Sequence, residues 1–258
     1  MPLKNYIKLG KSIKNWPIYF KKRFQDAVYI TRGAGLEMEV PRIFFYVFKE
    51  IFMEDFYSIN ELLKHISDEP VIVDIGGNAG YFSFLIASKR QRAKIFAYEP
   101  MAENFSVFQS NIDRNKGLEK RIHVEQKAVT GMEQSSVNLF FDDVHHNTVI
   151  ASVYPEFSDA NKKEVAVKAI SLTRIVKENK LNRIDLLKLD CEGSEYPVLY
   201  DSPSEVWSSI QCLAIEVHEL DSDKKNFRYL TSFIEDKGFK TQSRLDLNAC
   251  HYLMAYRN

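Results

Sequence analysis

Two acids that follow an apolar run in the second half of the chain could do acid–base chemistry. The run covers residues 184–189, and Asp190 and Glu192 come directly after it. A carboxylate that faces a cleft can accept a proton or bind a cation. Glu195 fits equally well at the start of the next helix, where the helix dipole favours an acid. We interpret Asp190 and Glu192 as functional residues and leave both roles open for Glu195.

A histidine follows the next apolar run, residues 213–217. Alternation along a strand sends Glu216 and His218 to the same side. A histidine at a strand end is a candidate general base, although a lone histidine is as often structural. We predict Asp190, Glu192 and His218 as the catalytic residues. We expect no metal, but a Mg²⁺ site formed by Asp190, Glu192 and Glu216 is an open variant, because carboxylate oxygens suit hard divalent ions.

A glycine-rich turn, Asp74 to Gly80, follows the apolar run that begins at Val71. A dinucleotide site requires the pattern G-x-G-x-x-G, and aligning it on Gly77 and Gly80 puts Ile75 where the first glycine belongs. S-adenosylmethionine instead carries an ammonium and a sulfonium. An acid at the strand end favours that cation and would repel a pyrophosphate. The turn therefore favours a site for S-adenosylmethionine.

A second acid, Glu99, ends the next apolar run and precedes Pro100. A carboxylate at this position can accept two hydrogen bonds from a ribose diol. NAD and the methyl donor both satisfy this expectation, so Glu99 indicates an adenosine cofactor without choosing between them. The predicted cofactor-binding residues are Asp74, Gly76, Gly77, Asn78, Gly80, Glu99 and Pro100.

The elements that must position these residues follow an alternating pattern from Val71 onward. Buried-looking strands are predicted at 71–73, 95–98, 122–124, 184–189 and 213–217, and helices at 81–89, 105–112 and 227–237. Extra strands are predicted at 137–141 and 165–167, inside a long insertion. The alternation implies a mostly parallel sheet with helices on both faces. Ligands of such sheets bind beyond the carboxyl ends of the strands, where the candidate residues fall.

Residues 1–69 differ in character from the rest, and we predict a helical extension before a catalytic domain of residues 70–258. The first 23 residues carry seven basic side chains, no acid and several aromatics. Such a segment could touch an anionic lipid surface or an acidic substrate, or it could pack its aromatic side on the domain. We favour the packing role. The segment 42–57 is expected to cover the sheet or the cofactor cleft.

The composition limits the partners and the compartment. The 258 residues carry 35 basic and 35 acidic side chains, so a nucleic-acid partner is not expected. Three scattered cysteines show neither metal-ligand nor disulfide spacing. The cysteines therefore favour a reducing, cytoplasmic compartment. No apolar stretch is long enough to span a membrane, so we expect a soluble protein. The polar stretch His145 to Thr148 is either a substrate-contacting loop or an exposed one.

Three segments of the sequence resemble the FkbM-type methyltransferase family. They read VIVDIGGNAGYFSFLIA from residue 71, IFAYEPMAENFSVFQSNIDRN from residue 95 and IDLLKLDCEGSEYPVL from residue 184. The resemblance implies a Rossmann-like seven-stranded α/β fold and S-adenosylmethionine as donor. It also implies O-methylation of a small-molecule, sugar or glycan hydroxyl. Carried over by position, it implies cofactor binding by Asp74, Gly76, Gly80 and Glu99, and an active site lined by Asp190 and Glu192.

Two positions depart from the family pattern. Gly77 stands where the family often has alanine, and Thr173 follows Leu172 where an acid is common. An NAD-dependent oxidoreductase and a module that binds cofactor without turnover remain alternatives from the residues alone. The N-P-P-Y motif of amino methylation is absent from the sequence.

Overall fold

The structure is a computed structural model that describes residues 3–22, 25–142, 147–245 and 251–257. Its α-helices are α1 Leu3–Ser12, α2 Ile18–Lys21, α3 Phe45–Lys49, α4 Ile59–Leu62, α5 Tyr81–Lys89, α6 Ala102–Arg114, α7 Leu172–Glu178, α8 Glu195–Tyr200, α9 Ser204–Ser209 and α10 Phe227–Asp236. Its strands are β1 Ala27–Ile30, β2 Glu37–Val40, β3 Val71–Ile75, β4 Lys94–Tyr98, β5 Ile122–Glu125, β6 Ala128–Thr130, β7 Ser136–Asp142, β8 Asn147–Ser152, β9 Lys163–Ser171, β10 Leu186–Leu189, β11 Cys212–Val217, β12 Lys240–Leu245 and β13 His251–Tyr256. Short 3₁₀ turns cover Arg42–Phe44 and Pro155–Phe157, and a π-helix covers Glu50–Glu54.

A seven-stranded sheet forms the centre, in the order β12-β13-β11-β10-β3-β4-β5. The strands from β11 to β5 pair in parallel, and β13 runs antiparallel to both β11 and β12. The chain order reverses between β3 and β10, which creates the crevice where such sheets bind ligands. The predicted mostly parallel α/β fold is confirmed. Strand β10 begins later than predicted, since Ile184 forms only a single bridge with Ile210.

Helices cover both faces of this sheet, so its central strands are buried on both sides. Ile72 of β3 packs in one hydrophobic cluster with α5 and α6, whereas its neighbour Val73 packs in the other with α7 to α10. Successive side chains of a strand point to opposite faces. This double burial explains why the strands read as continuous apolar runs in the sequence.

The N-terminal segment packs on the same face as α5 and α6. Leu9 of α1 and Phe48 of α3 belong to the same hydrophobic cluster as Phe84 and Phe108. Segment 42–57 was expected to cover the sheet or the cofactor cleft, and it contacts both, since Phe48 packs in this cluster and Tyr46 lines the cavity described below. The N-terminal 69 residues, predicted to be helical, also contain a β-hairpin, β1–β2, that was not predicted from the sequence. A division into domains at residue 70 stays a prediction.

Asn111 of α6 and Asn115, the residue directly after that helix, hold the hairpin. Asn111 accepts a hydrogen bond from the Glu39 backbone N–H (2.6 Å) and donates to the Ala79 carbonyl (3.0 Å). Asn115 accepts from the Glu37 N–H (2.9 Å) and donates to its carbonyl (2.8 Å). The side-chain amides thus satisfy an edge of β2 that has no strand partner among the described residues.

A second sheet, in the order β6-β9-β7-β8, lies between β5 and β10 in the chain. The predicted extra strands are present as β7 and β9, while β6 and β8 were not predicted. Met101, Leu139 and Phe141 form a small hydrophobic cluster beneath this sheet. His145 and His146 lie outside the described residues, as do the side chains of the two residues that follow them. No helix in the described part of the chain has the length and apolarity to span a bilayer.

Candidate active site

A cavity of about 300 Å³ lies at the carboxyl edge of the central sheet, and we call it the central cavity. Residues that follow the four adjacent strands β4, β3, β10 and β11 line it, together with the inserted sheet and α3. Its acidic lining residues are Glu50, Glu99, Asp190, Glu192 and Glu216. No lysine or arginine is among the described residues of the lining. The cavity therefore presents a negative field to a guest.

The glycine turn brings the ends of β3 and β10 together. Gly76 has a φ of +75°, and a Cβ there would lie 1.8 Å from the Asp190 carbonyl oxygen. A Cβ on Gly80 would lie 2.5 Å from the Phe108 ring, and one on Gly77 would lie 2.9 Å from the same ring. Gly76 and Asn78 line the central cavity, whereas Gly77 and Gly80 make room for helix packing. An alanine at Gly77 would require the Phe108 ring to shift.

Glu99 is almost wholly buried at the end of β4. Its Oε2 accepts a hydrogen bond from the Asn78 N–H (2.8 Å), and its Oε1 accepts from the Met101 N–H (2.9 Å) and the Asn104 amide (3.2 Å). Burial raises the pKa of Glu99 to about 7, although these donors oppose the increase. Since a carboxylate oxygen has two lone pairs, Oε2 keeps one for a ligand hydroxyl. Pro100 lines the cavity beside it.

A buried ion pair lies beneath the cavity. The Lys188 ammonium on β10 lies 3.3 Å from Asp74 Oδ1, and it donates to the Gly76 carbonyl (2.6 Å). The Ser83 hydroxyl donates to the other Asp74 oxygen (2.6 Å). Burial lowers the pKa of Lys188, but Asp74 and Asp190 raise it by more. Asp74 is fully buried and does not line the cavity, so it acts on a guest only through Lys188 and the turn.

Asp190 faces the cavity at the end of β10. Its Oδ2 accepts a hydrogen bond from the Tyr57 hydroxyl (2.9 Å) and lies 3.4 Å from the Lys188 ammonium. Burial and the adjacent Asp190 raise the pKa of Tyr57, which keeps the phenol protonated as a donor. One hydrogen bond and one ion pair thus hold the carboxylate of Asp190 in place.

His218 lies between carboxylates at the end of β11. Its Nδ1 is 3.2 Å from Glu195 Oε1, and its Nε2 is 3.3 Å from Glu192 Oε2 and 4.0 Å from Glu216 Oε1. Glu195 is fully buried, and the same Oε1 accepts from the Cys191 N–H (2.8 Å). Its Oε2 has no hydrogen-bond partner among the described residues. A carboxylate on Nδ1 orients an imidazole and stabilises its protonated form.

Glu192 completes this group from a strained backbone position. Its φ is +51°, and the Ser152 hydroxyl donates to its carbonyl (2.6 Å). Burial raises the pKa of Glu192 to about 8, the nearby imidazole lowers it, and Asp190, Glu216 and Glu195 raise it further. A non-glycine residue in this conformation persists only when its surroundings hold it.

The structure brings the three predicted catalytic residues together. One ligand atom each from Asp190, Glu192 and His218 lies within 4.8 Å of the others, a spacing that could hold a metal ion. This group contains an imidazole in place of the Glu216 carboxylate of the sequence-based variant. An imidazole suits transition metals better than it suits Mg²⁺.

Four residues of the site were not predicted from the sequence. Lys188 was noticed only as a lysine in a buried strand, and Glu195 was left between capping and function. Glu195 does begin α8, as predicted, but its side chain also contacts His218. Tyr57 and Tyr46 reach the site from the N-terminal segment, and no local pattern marks them.

A model of the "Methyltransferase FkbM domain" matches residues 74–241, which contain the glycine turn and all four strand ends. The chain belongs to the FkbM methyltransferase family. This assignment favours a methyltransferase over the oxidoreductase alternative. The FkbM domain contains every predicted cofactor-binding and catalytic residue, while Tyr46 and Tyr57 lie before it.

Three relatives each align with more than half of this chain. Methyltransferase 1 of Beauveria bassiana (strain ARSEF 2860) is 29% identical over 232 residues, covering 83% of this chain and 85% of the relative. The hexuronic acid methyltransferase AglP of Haloferax volcanii is 24% identical, covering 62% of this chain and 61% of the relative. The 31-O-demethyl-FK506 methyltransferase FkbM of Streptomyces tacrolimicus is 22% identical, covering 68% and 75%.

A solved structure shares the fold. The methyltransferase FkbM from Methylobacillus flagellatus KT superimposes with a TM-score of 0.51 at 16% identity. The match covers 73% of this chain and 44% of that one. At this identity the likeness supports the architecture of the FkbM domain and not its substrate.

Proposed function

We propose that this FkbM-family methyltransferase uses S-adenosylmethionine to methylate a hydroxyl of a small molecule, sugar or glycan. One observation carries the proposal. The central cavity lies at the switch in strand order, and carboxylates without lysine or arginine line its described part. This field suits a cationic sulfonium nucleoside, whereas a dinucleotide pyrophosphate would be repelled. Because the cysteines Cys191 and Cys212 are free thiols, a cytoplasmic location belongs to the same proposal.

The residues of the cavity fit the proposed donor, which supplies an activated methyl group when bound. Glu99 offers the free lone pair on Oε2 to a ribose hydroxyl. The turn at Gly76 and Asn78 exposes backbone to a ligand without an intervening side chain. Tyr98, Met101, Val129 and Leu139 add apolar surface that an adenine ring could contact.

We propose His218 as the base that accepts the proton of the acceptor hydroxyl. Its Nδ1 faces the buried Glu195, so the imidazolium that forms would be stabilised. Asp190 is the less favoured base, because the Lys188 ammonium and the Tyr57 hydroxyl already compensate its charge. His218 would take up this proton as the acceptor oxygen bonds to the methyl carbon, the carbon–sulfur bond breaks, and S-adenosylhomocysteine leaves as a neutral thioether. The names of two relatives, a hexuronic acid and a 31-O-demethyl methyltransferase, support an oxygen acceptor.

A bound divalent cation is the second way to activate the hydroxyl. The spacing of Asp190, Glu192 and His218 favours this alternative. Activity should be measured after exhaustive EDTA treatment and again after adding Mg²⁺, Mn²⁺ or Zn²⁺. Activity that survives EDTA would show that a side chain of the protein activates the hydroxyl without a metal. Activity that is lost with EDTA and restored by one ion would show that a metal lowers the pKa of the hydroxyl.

Binding and turnover test the proposal separately. Calorimetry should show that S-adenosylhomocysteine binds and that NAD does not. A radiolabelled methyl-donor assay against sugars, glycans and hydroxylated natural products should then identify the acceptor. We expect His218→Gln to lower kcat/KM by about 10²–10⁴-fold with little change in S-adenosylhomocysteine affinity. His123→Gln, at an exposed histidine of β5, is the matched control; an equal loss in both variants would remove His218 as base.

A further inference from the structure

The first helix has one buried and one exposed face. Leu9 is fully buried in the core, whereas Ile7 is 53% exposed. Ile7 and Lys11 are four residues apart and share the solvent face of α1. An isoleucine in this position contributes little to the core, because half of its surface is in water.

A second apolar side chain lies beside this face. Phe20 of α2 is 54% exposed and stacks on Tyr6 of α1, with ring centroids 5.5 Å apart. Its ring also contacts the edges of Trp16 (5.9 Å) and Tyr19 (5.6 Å). The contacts fix the orientation of Phe20 and still leave its outer edge in solvent.

Four exposed lysines lie on the same two helices or within two residues of them. Lys11, Lys14, Lys21 and Lys22 are exposed, and no acid precedes Asp26 in the sequence. Within the described residues, none of the four forms an ion pair. We call Ile7, Phe20 and these four lysines the basic aromatic patch. Its local charge contrasts with the zero net charge of the whole chain.

We propose that the basic aromatic patch docks on an anionic membrane surface. Lysines near such a surface are attracted by its negative potential, and apolar side chains can enter the headgroup region. Stable peripheral binding requires both kinds of contact, and the patch supplies both. A nucleic acid would use the charges but would leave the aliphatic Ile7 without a partner.

Contacts between α2 and α3 connect the patch to the lining of the central cavity. Tyr19 contacts Phe45 of α3 (5.2 Å between ring centroids), and the next residue, Tyr46, lines the cavity while remaining 43% exposed. Because Phe20 also contacts Tyr19, we infer that a membrane bound by the patch would face this side of the cavity. Only this last step depends on the proposed function: the enzyme would methylate an acceptor presented at the lipid surface.

Vesicle flotation tests the docking without any assay of activity. The full chain should float with phosphatidylcholine vesicles that contain 30% phosphatidylglycerol, and should not float with phosphatidylcholine alone. We expect Lys11→Gln with Lys21→Gln to lower the partition coefficient by roughly 30-fold. Phe20→Ser should lower it as well. The control pair Lys177→Gln with Lys240→Gln changes the net charge equally at exposed sites elsewhere, and should bind within about twofold of the wild type.

Three results would overturn the proposal. The first is equal flotation with neutral and anionic vesicles, and the second is an equal loss in the patch variants and the control pair. The third is displacement from vesicles by a single-stranded RNA oligonucleotide that binds the same lysines more tightly. Thermal unfolding of the lysine variants should match that of the wild type, because the replaced lysines are exposed. S-adenosylhomocysteine binding should also be unchanged, so a failure of docking remains distinct from a failure of the proposed function.

Discussion

Replacing Lys188 with methionine tests how the buried charges beneath the central cavity are balanced. Lys188 and Asp74 are 3% and 0% exposed, so water cannot compensate either charge when its partner is removed. Breaking a buried pair by removing one partner costs about 3–5 kcal/mol. With a urea m value of about 3 kcal/mol/M, Lys188→Met should lower the unfolding midpoint by about 1–1.7 M.

The double variant Lys188→Met with Asp74→Asn separates the uncompensated charge from the loss of packing. It removes both charges, and the asparagine oxygen can still accept from Ser83. We expect it to regain most of the lost free energy of unfolding, since neutral replacement of a buried pair is often close to neutral. Lys94→Met, at an exposed lysine of β4, should stay within about 0.5 kcal/mol of the wild type.

The assay is urea unfolding at pH 7, followed by intrinsic fluorescence and by circular dichroism so that the two transitions can be compared. A Lys188→Met midpoint within about 0.3 M of the wild type, equivalent to about 1 kcal/mol, would refute the reasoning. So would a double variant no more stable than Lys188→Met, because the uncompensated Asp74 charge would then not be the cause.

Three further expectations concern single side chains. Glu99→Gln should weaken S-adenosylhomocysteine binding about 10–100-fold by calorimetry, since an amide turns a donor toward one of the N–H groups that Glu99 now accepts from. The pKa of Glu192 in the folded protein is about 8, above its ordinary value of 4.5, so the folded state holds this proton more tightly than the unfolded state. The stability that comes from this proton is lost as pH rises from 5 to 8. Glu192→Gln should therefore gain stability relative to the wild type over that range, by up to about 1.4 kcal/mol per pH unit in urea unfolding. Asn111→Ala should cost about 1–3 kcal/mol and speed amide exchange in β2, and unchanged exchange at Glu39 would contradict its proposed structural role.

The sheet and the strand ends could be predicted because their signals are local. Continuous apolar runs mark strands buried on both faces, and polar residues directly after them mark the ligand edge. Asp190, Glu192 and His218 all follow such runs, so the sequence alone predicts that they lie at one edge of the sheet. The identity of the cofactor depended on the resemblance to the FkbM family, because the residues alone left NAD open beside S-adenosylmethionine.

The remaining parts of the site depend on contacts between distant segments. Lys188 meets Asp74 only because β10 pairs with β3 in a particular register, and a single sequence does not contain that register. The Tyr57 hydroxyl contacts Asp190 from the segment 42–57. The spacing of apolar residues in that segment predicted only that it covers the sheet or the cofactor cleft. The hairpin β1–β2 was not predicted because its strands are only four residues long and depend on the side-chain amides of Asn111 and Asn115, far away in the sequence.

The pairing of β3 with β10 also bears on how the protein is made. Gly76 and Lys188 touch although they are 112 residues apart in the chain. During synthesis, β3, β4 and β5 leave the ribosome well before β10. Until β10 is made, the side of β3 that will pair with it is an unpaired, apolar strand edge. Such edges invite pairing with other chains, and late closure slows folding. The nascent chain is therefore expected to be prone to aggregation until β10 pairs with β3, and the central cavity forms only after that pairing.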